Sequence, residues 1–131
     1  MAHQLDIRVY YEDTDLAGIV YYANYLKFIE RARTEYVRDL GVDQSALKAE
    51  TGIVFAVRRV EADYIAPAKF DDVIRVETKA VKVTAARIVL AQDIHRDGDV
   101  LFQSVVTLVA LTETGKPARI PAELCQKIVI A

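Results

Sequence analysis

At 131 residues the chain is close to the commonest domain size, so one domain over residues 1–131 is expected, with room for a real core and little for a second module. Hydrophobic residues at 53% and charged residues at 27%, with both signs mixed along the chain, argue against a disordered segment. The net charge of -2, without a clustered basic excess, argues against a nucleic-acid partner.

The first residues, MAHQLDIRVYYEDTD, lack the charged start and apolar stretch of a signal peptide, and no apolar run approaches the roughly 18 residues of a membrane span, so a cytoplasmic protein is expected. A single cysteine, Cys125, leaves no internal disulfide and fits a reducing compartment.

In chain order, Asp6 to Tyr11 alternate Ile7, Val9 and Tyr11 against Asp6, Arg8 and Tyr10, the two-residue period of a half-buried strand. An irregular turn follows over Glu12 to Gly18. From Tyr22 to Leu40 the period lengthens: Tyr25, Phe28, Ile29, Ala32, Tyr36 and Leu40 recur at spacings of three and four, which predicts a helix with one apolar stripe. Gly41 suits the left-handed position past its end, and Asp43 to Ala49 predicts a short second helix capped by Asp43 or Ser45.

Beyond Gly52 the signals are those of a sheet. Val54 to Ile65 is rich in β-branched and aromatic residues and ends before Pro67. In Val73 to Val83 the apolar set slips from Ile74, Val76 and Ala80 to Val81 and Val83, which predicts a bulge. Arg87 to His95 and Val100 to Thr112 flank Asp97-Gly98, a tight-hairpin signal. Val105 to Leu111 is nearly all apolar and predicts a central strand covered on both faces. One long helix against about five antiparallel strands is an α+β architecture with the sheet curled around the helix. A single helix cannot cover such a sheet, so a homo-oligomer is expected.

The densest cluster of unusual residues is Tyr11 to Tyr25, with the carboxylates Glu12, Asp13 and Asp15 placed between a strand end and a helix start. Asp13 and Asp15 would project to one side of an extended backbone, and two such charges oppose each other's ionisation. Turn and capping chemistry by Asp, Thr and Gly is the plainer explanation. The chemical reading is that Gly18 lets the backbone approach a ligand, that unpaired amides around Val20 to Tyr22 polarise a carbonyl and hold its oxyanion, and that a carboxylate beside them activates water or attacks.

Other chemistries fit less well. His3 lies in an expected frayed terminus and His95 beside a hairpin turn, so both are expected at the surface; two histidines so placed make neither a triad nor a multi-histidine metal site. Cys125, in the apparent helix ELCQKI, has no histidine nearby and reads as a packing residue.

The run from Tyr10 to Arg33, YYEDTDLAGIVYYANYLKFIERAR, resembles the signature of the 4-hydroxybenzoyl-CoA thioesterase family, especially its bacterial branch associated with the Tol-Pal system. RTEYVRDLG and FAVRRVEADYIAPAKFDD follow in the expected order, so the likeness spans nearly the whole chain. The resemblance implies the hotdog fold, dimers that pair into tetramers, and hydrolysis of short-chain aliphatic or aromatic acyl-CoA, without metal or organic cofactor. It maps the catalytic carboxylate onto Asp15 and the polarising helix-start amide onto Tyr22. Many members of the Tol-Pal branch carry histidine at the position of Tyr22, while the aromatic-substrate branch can carry tyrosine there.

Gly18, Val20, Tyr25, Arg58 and Arg59 complete the expected substrate site, with Lys82, Arg87, Lys116 and Arg119 as further cations for CoA phosphates. Glu30 either faces the cleft or pairs with Arg33 or Thr34. Acyl carrier protein is an alternative carrier of the acyl group. A non-catalytic acyl-CoA or carrier-protein adaptor and a hotdog hydratase or dehydratase are the competing readings.

Overall fold

The computed structural model describes residues 2–130. The predicted stripe becomes one face of helix α1 (Asn24–Asp39), where Tyr25, Phe28, Ile29, Ala32, Tyr36 and Val37 are buried. That face is covered by a six-stranded antiparallel sheet of β1 (His3–Arg8), β2 (Val54–Tyr64), β3 (Val73–Val83), β4 (Ile88–Arg96), β5 (Asp99–Leu111) and the two-residue β6 (Pro117–Ala118). The sheet order is β1-β3-β4-β5-β2, with β6 paired to the end of β5. A short helix α2 (Gln44–Thr51) links α1 to β2, and α3 (Ala122–Lys127) closes the chain. The architecture is the α+β hotdog arrangement, with one strand more than expected because the pairing of Pro117 and Ala118 leaves no periodicity to read.

Local chemistry places most boundaries. Gly41 has φ 84° and ends α1, while Asp43 rather than Ser45 caps α2, its Oδ1 accepting from Ala46 N–H at 3.1 Å. The slip in β3 is a register shift between Ala80 and Lys82. Asp97 and Gly98, with φ 51° and 85°, form the tight turn between β4 and β5. Cys125 packs in α3 with its Sγ 3.8 Å from the Thr84 carbonyl.

Several expectations are corrected. The first strand runs from His3 to Arg8 rather than from Asp6 to Tyr11. Val9 leaves the ladder to bond with the loop before β3, donating to Asp72 O and accepting from Asp71 N, and Tyr11–Asp13 turn into one 3-10 turn. His3 is therefore not frayed: it pairs with Thr78, its Nε2 lies 2.7 Å from Asp39 Oδ2, and its ring meets Tyr36 edge-on. Neither histidine is a surface side chain, since His3 is 15% exposed and His95, flanked by Arg75 and Glu77 on β3, is 22% exposed. Strand β5 is central, but only one of its faces is covered; Val105 on the other is 39% exposed.

The uncovered surface concentrates on β2. Helix α1 packs on β1 and β3, and β2 lies at the far edge. Every residue from Val57 to Tyr64 is exposed, including Val60 and Tyr64, which pair with the buried Val106 and Phe102 and so share their apolar face.

Phe28 is fully buried between helix and sheet. Phe28→Ala is expected to cost about 3–5 kcal/mol in denaturant-induced unfolding, through lost transfer energy and the cavity left behind.

Candidate active site

The segment between β1 and α1 is a closed loop fastened at both ends. Asp13 is buried, and its Oδ2 accepts from Tyr10 N–H at 2.8 Å, while its carbonyl accepts from Tyr21 N–H and from Asn24 Nδ2, both at 2.9 Å. Thr14 pairs with Val20, Asp15 N–H donates to Ile19 O, and Gly18 N–H donates to Asp15 O. Gly18, at φ 79°, makes the left-handed turn at the tip, where a β-carbon would be strained although nothing stands within 4 Å of it.

Asp13 and Asp15 are thus not a matched carboxylate pair. Asp13 is spent on the turn, because the chain leaves the extended conformation at Tyr11 and its carboxylate folds back on Tyr10. Asp15 stays exposed, with Oδ1 accepting only from Ala17 N–H at 3.0 Å. Its second oxygen has no hydrogen-bond donor among the described residues.

Asp15 lines an open cavity of about 360 Å³ with Val20, Tyr21, Tyr22, Tyr25, Tyr64 and the Ile65–Pro67 segment. Val20 is buried and donates to Ala68 O at 2.8 Å. Tyr25 is also buried, and its hydroxyl accepts from Ala68 N–H at 3.0 Å, so it fastens the far wall of the cavity to the helix. Burial raises the Tyr25 pKa and keeps that phenol neutral. Tyr21 and Tyr22 stack obliquely at 4.8 Å. Hydrogen bonding to Tyr22, and to a lesser degree the charge of Asp15, pushes the Tyr21 phenol up, so it remains a donor at neutral pH.

The helix start supplies the other half of the chemistry. Helix α1 begins at Asn24, two residues later than the pattern predicts, which leaves Tyr22 and Ala23 before its first turn. Asn24 N–H closes on Tyr21 O at 2.8 Å, whereas the N–H groups of Tyr22 and Ala23 have no acceptor among the described residues. Free amides beside a carboxylate in one cavity can stabilise negative charge developing on a carbonyl oxygen as that carboxylate drives attack.

The predicted arginines do not reach this cavity. Arg58 is the extra residue of a bulge in β2 and lines instead a second cavity of about 620 Å³, which Arg119 also lines. Arg59 pairs with Glu61 at 2.9 Å. Lys82, Arg87 and Lys116 line neither cavity. Glu30 resolves toward Thr34, whose hydroxyl donates to it at 3.0 Å. Among the described residues no group of three or more His, Cys, Asp or Glu is arranged to hold a metal.

Two contributors escaped the sequence pattern. Asn24 ties the helix start to Asp13, and only its side-chain amide within an apolar stretch hints at that. Tyr64 reaches the cavity from β2, and nothing in the local sequence distinguishes it from any strand tyrosine.

The sequence matches the family described as the thioesterase-like superfamily over residues 9–128. The chain belongs to that superfamily. It is 43% identical over 120 residues to a Haemophilus influenzae protein named acyl-CoA thioesterase YbgC, covering 90% of this chain and 88% of that one. An Escherichia coli protein named acyl-CoA thioester hydrolase YbgC is 38% identical over 120 residues, covering 90% and 89%. Among solved structures, a probable thioesterase from Bartonella henselae superposes with a TM-score of 0.89 at 34% identity, covering 92% of this chain and all of that one. A mutant 4-hydroxybenzoyl CoA thioesterase complexed with 4-hydroxybenzoyl CoA has a TM-score of 0.92 at 22% identity, covering 98% and 99%, a likeness of fold.

The cavity's far wall is held by Arg96, which reaches Pro67 O at 3.2 Å and Asp72 Oδ2 at 2.6 Å. Burial alone would raise the Asp72 pKa, but the Lys69 N–H and the Arg96 guanidinium together hold it below 3.8. A carboxylate with a lowered folded pKa contributes stability that is complete above its unfolded value and lost as pH falls through the folded one. Unfolding midpoints followed from pH 6 down to about pH 3 should therefore drop more for the wild type than for Asp72→Asn, whose stability is already lower at pH 6.

Proposed function

We propose that this superfamily member hydrolyses acyl-CoA thioesters, with Asp15 as base or nucleophile and the Tyr22 amide as oxyanion donor. The observation that carries the reading is the meeting of a half-satisfied carboxylate, Asp15, with Tyr22 and its unpaired helix-start amide along one open cavity. In the general-base route Asp15 takes a proton from water as the water oxygen bonds to the carbonyl carbon. The oxyanion forms against the amides, then collapses and expels CoA thiolate, which is protonated as the free acid departs. In the nucleophilic route Asp15 attacks the carbonyl carbon and CoA thiolate leaves, giving a mixed anhydride that water then cleaves to the free acid and Asp15. Tyr22, where many relatives of the Tol-Pal branch carry histidine, leaves the proton chemistry to Asp15, with the Tyr21 hydroxyl as a neighbouring donor.

CoA is the carrier this reading favours over an acyl carrier protein. Both present a thioester on a pantetheine arm, but Arg58 and Arg119 both line the second cavity, and neither forms an ion pair among the described residues. Guanidinium groups there suit the phosphates that CoA adds. The preferred acyl groups are short aliphatic or aromatic ones, matching a cavity of about 360 Å³.

The working unit is a homo-oligomer, a dimer through β2 and, from the resemblance to the Tol-Pal-associated branch, a tetramer of two dimers in the cytoplasm. Support comes from β2 itself, an 11-residue edge strand with one unpaired side and an exposed apolar face. Among the described residues no helix is long and apolar enough to cross a membrane.

Asp15→Asn should reduce thiol release from acyl-CoA by at least about a hundredfold while the protein folds and assembles normally; unchanged turnover would sink the mechanism. Val60→Lys, which sets a charge on the open face of β2, is expected to shift the sedimentation profile from the oligomer toward monomer. An unaltered profile would move the interface elsewhere.

A further inference from the structure

In a helix that continued without interruption, the carbonyl of Tyr22 would accept from the N–H of Leu26, four residues on. It does not. Leu26 N–H donates to the Ala23 carbonyl at 3.1 Å, and the Tyr22 carbonyl accepts instead from the hydroxyl of Tyr64 at 2.8 Å. A side chain from the last residue of the edge strand β2 therefore takes the place of the helix's next hydrogen bond.

Tyr64 is itself well held. Its ring meets Tyr25 edge-on at 5.3 Å, Phe102 at 5.1 Å and Tyr22 at 6.3 Å. Burial, followed by the neighbouring tyrosines Tyr22 and Tyr25, pushes its phenol pKa up, so the hydroxyl keeps its proton and can donate it.

We propose that Tyr64 is a positioning residue for the hydrolytic reaction: by holding the Tyr22 carbonyl out of the helix, it sets the direction of the Ala23 N–H, next to the Tyr22 amide that faces the same cavity as Asp15. The Tyr22 carbonyl and the Ala23 N–H belong to one planar peptide and point in opposite directions, so fixing the first fixes the second. A hydrogen bond donated to that carbonyl also polarises the peptide and strengthens its N–H as a donor. The preceding peptide is pinned separately, since the Tyr21 carbonyl accepts from Asn24 N–H at 2.8 Å. Two successive amides are thus set by two anchors, one within the helix start and one from the sheet. Without the hydroxyl, the donors open to the Tyr22 carbonyl along the helix are the N–H of Tyr25, which has no acceptor among the described residues, and that of Leu26. Taking either bond would extend α1 backwards and turn the Ala23 amide.

The inference rests on the oxyanion role given to these amides above, and the experiment separates the two. Tyr64→Phe keeps the ring and its packing and removes only the hydroxyl. Its kcat for thiol release should fall at least about tenfold, with KM changed less than about threefold and an unfolding midpoint close to that of the wild type. In the same variant, scalar coupling across hydrogen bonds, measured by NMR, should show the Tyr22 carbonyl accepting from the amide of Tyr25 or Leu26. An active wild type with an equally active Tyr64→Phe overturns the role of Tyr64 alone. So does a kcat loss with the Tyr22 carbonyl bonded to neither amide, or one accompanied by a matching loss of stability. A wild type that releases no thiol overturns the thioesterase reading itself.

Discussion

One 16-residue helix is narrower than the six strands it faces, and that mismatch governs the rest of the molecule. Helix α1 fills the curve over β1 and β3, where its apolar stripe meets the fully buried Ile74 and Val76. At roughly 10 Å across, a helix cannot also cover the opposite edge, which it touches at its start through Tyr25 against Tyr64. The apolar face of β2 is left without a covering layer, although its partner residues on β5 are buried. The same gap makes the cavity: its walls are the helix start on one side and the end of β2, with the segment that follows it, on the other.

Within that gap the loop before α1 divides its carboxylates by backbone conformation. The 3-10 turn at Tyr11–Asp13 spends Asp13 on its own hydrogen bonds, and the Gly18 turn projects Asp15 from the far side of the loop. Satisfying Asp13 internally is what permits it to be buried, because an unpaired carboxylate there would cost several kcal/mol on the order of a lost ionic partner. Asp15 bears no such structural duty beyond one bond to Ala17 and stays open to a ligand.

A second buried polar side chain follows the same rule. Gln92 is wholly buried on β4, donating to Ile29 O and Thr78 Oγ1 and accepting from Arg33. Burial lowers the Arg33 pKa, with Glu30 partly opposing the shift, and the fixed Gln92 amide gives that guanidinium a defined partner against the sheet. This network registers the middle of α1 on β4, so the helix start arrives at a fixed distance from β2.

The sequence by itself determined what depends on near neighbours in the chain: the helical stripe from Tyr25 to Tyr36, the Asp43 cap, the bulge in β3 and the Asp97-Gly98 turn. Each of these is set by periodicity, capping or turn chemistry acting over a few residues. It misplaced β1, the exposure of His3 and His95, the pairing of Asp13 with Asp15, and the second covered face of β5. Those depend on which distant segment supplies a partner: Asp71 and Asp72 for Val9, Asp39 for His3, and no second layer for β5. Only the tertiary structure decided that Tyr64, 42 residues beyond Tyr22, holds its carbonyl, because a hydrogen bond across that interval is fixed by how the sheet curves around the helix and by nothing local to either tyrosine.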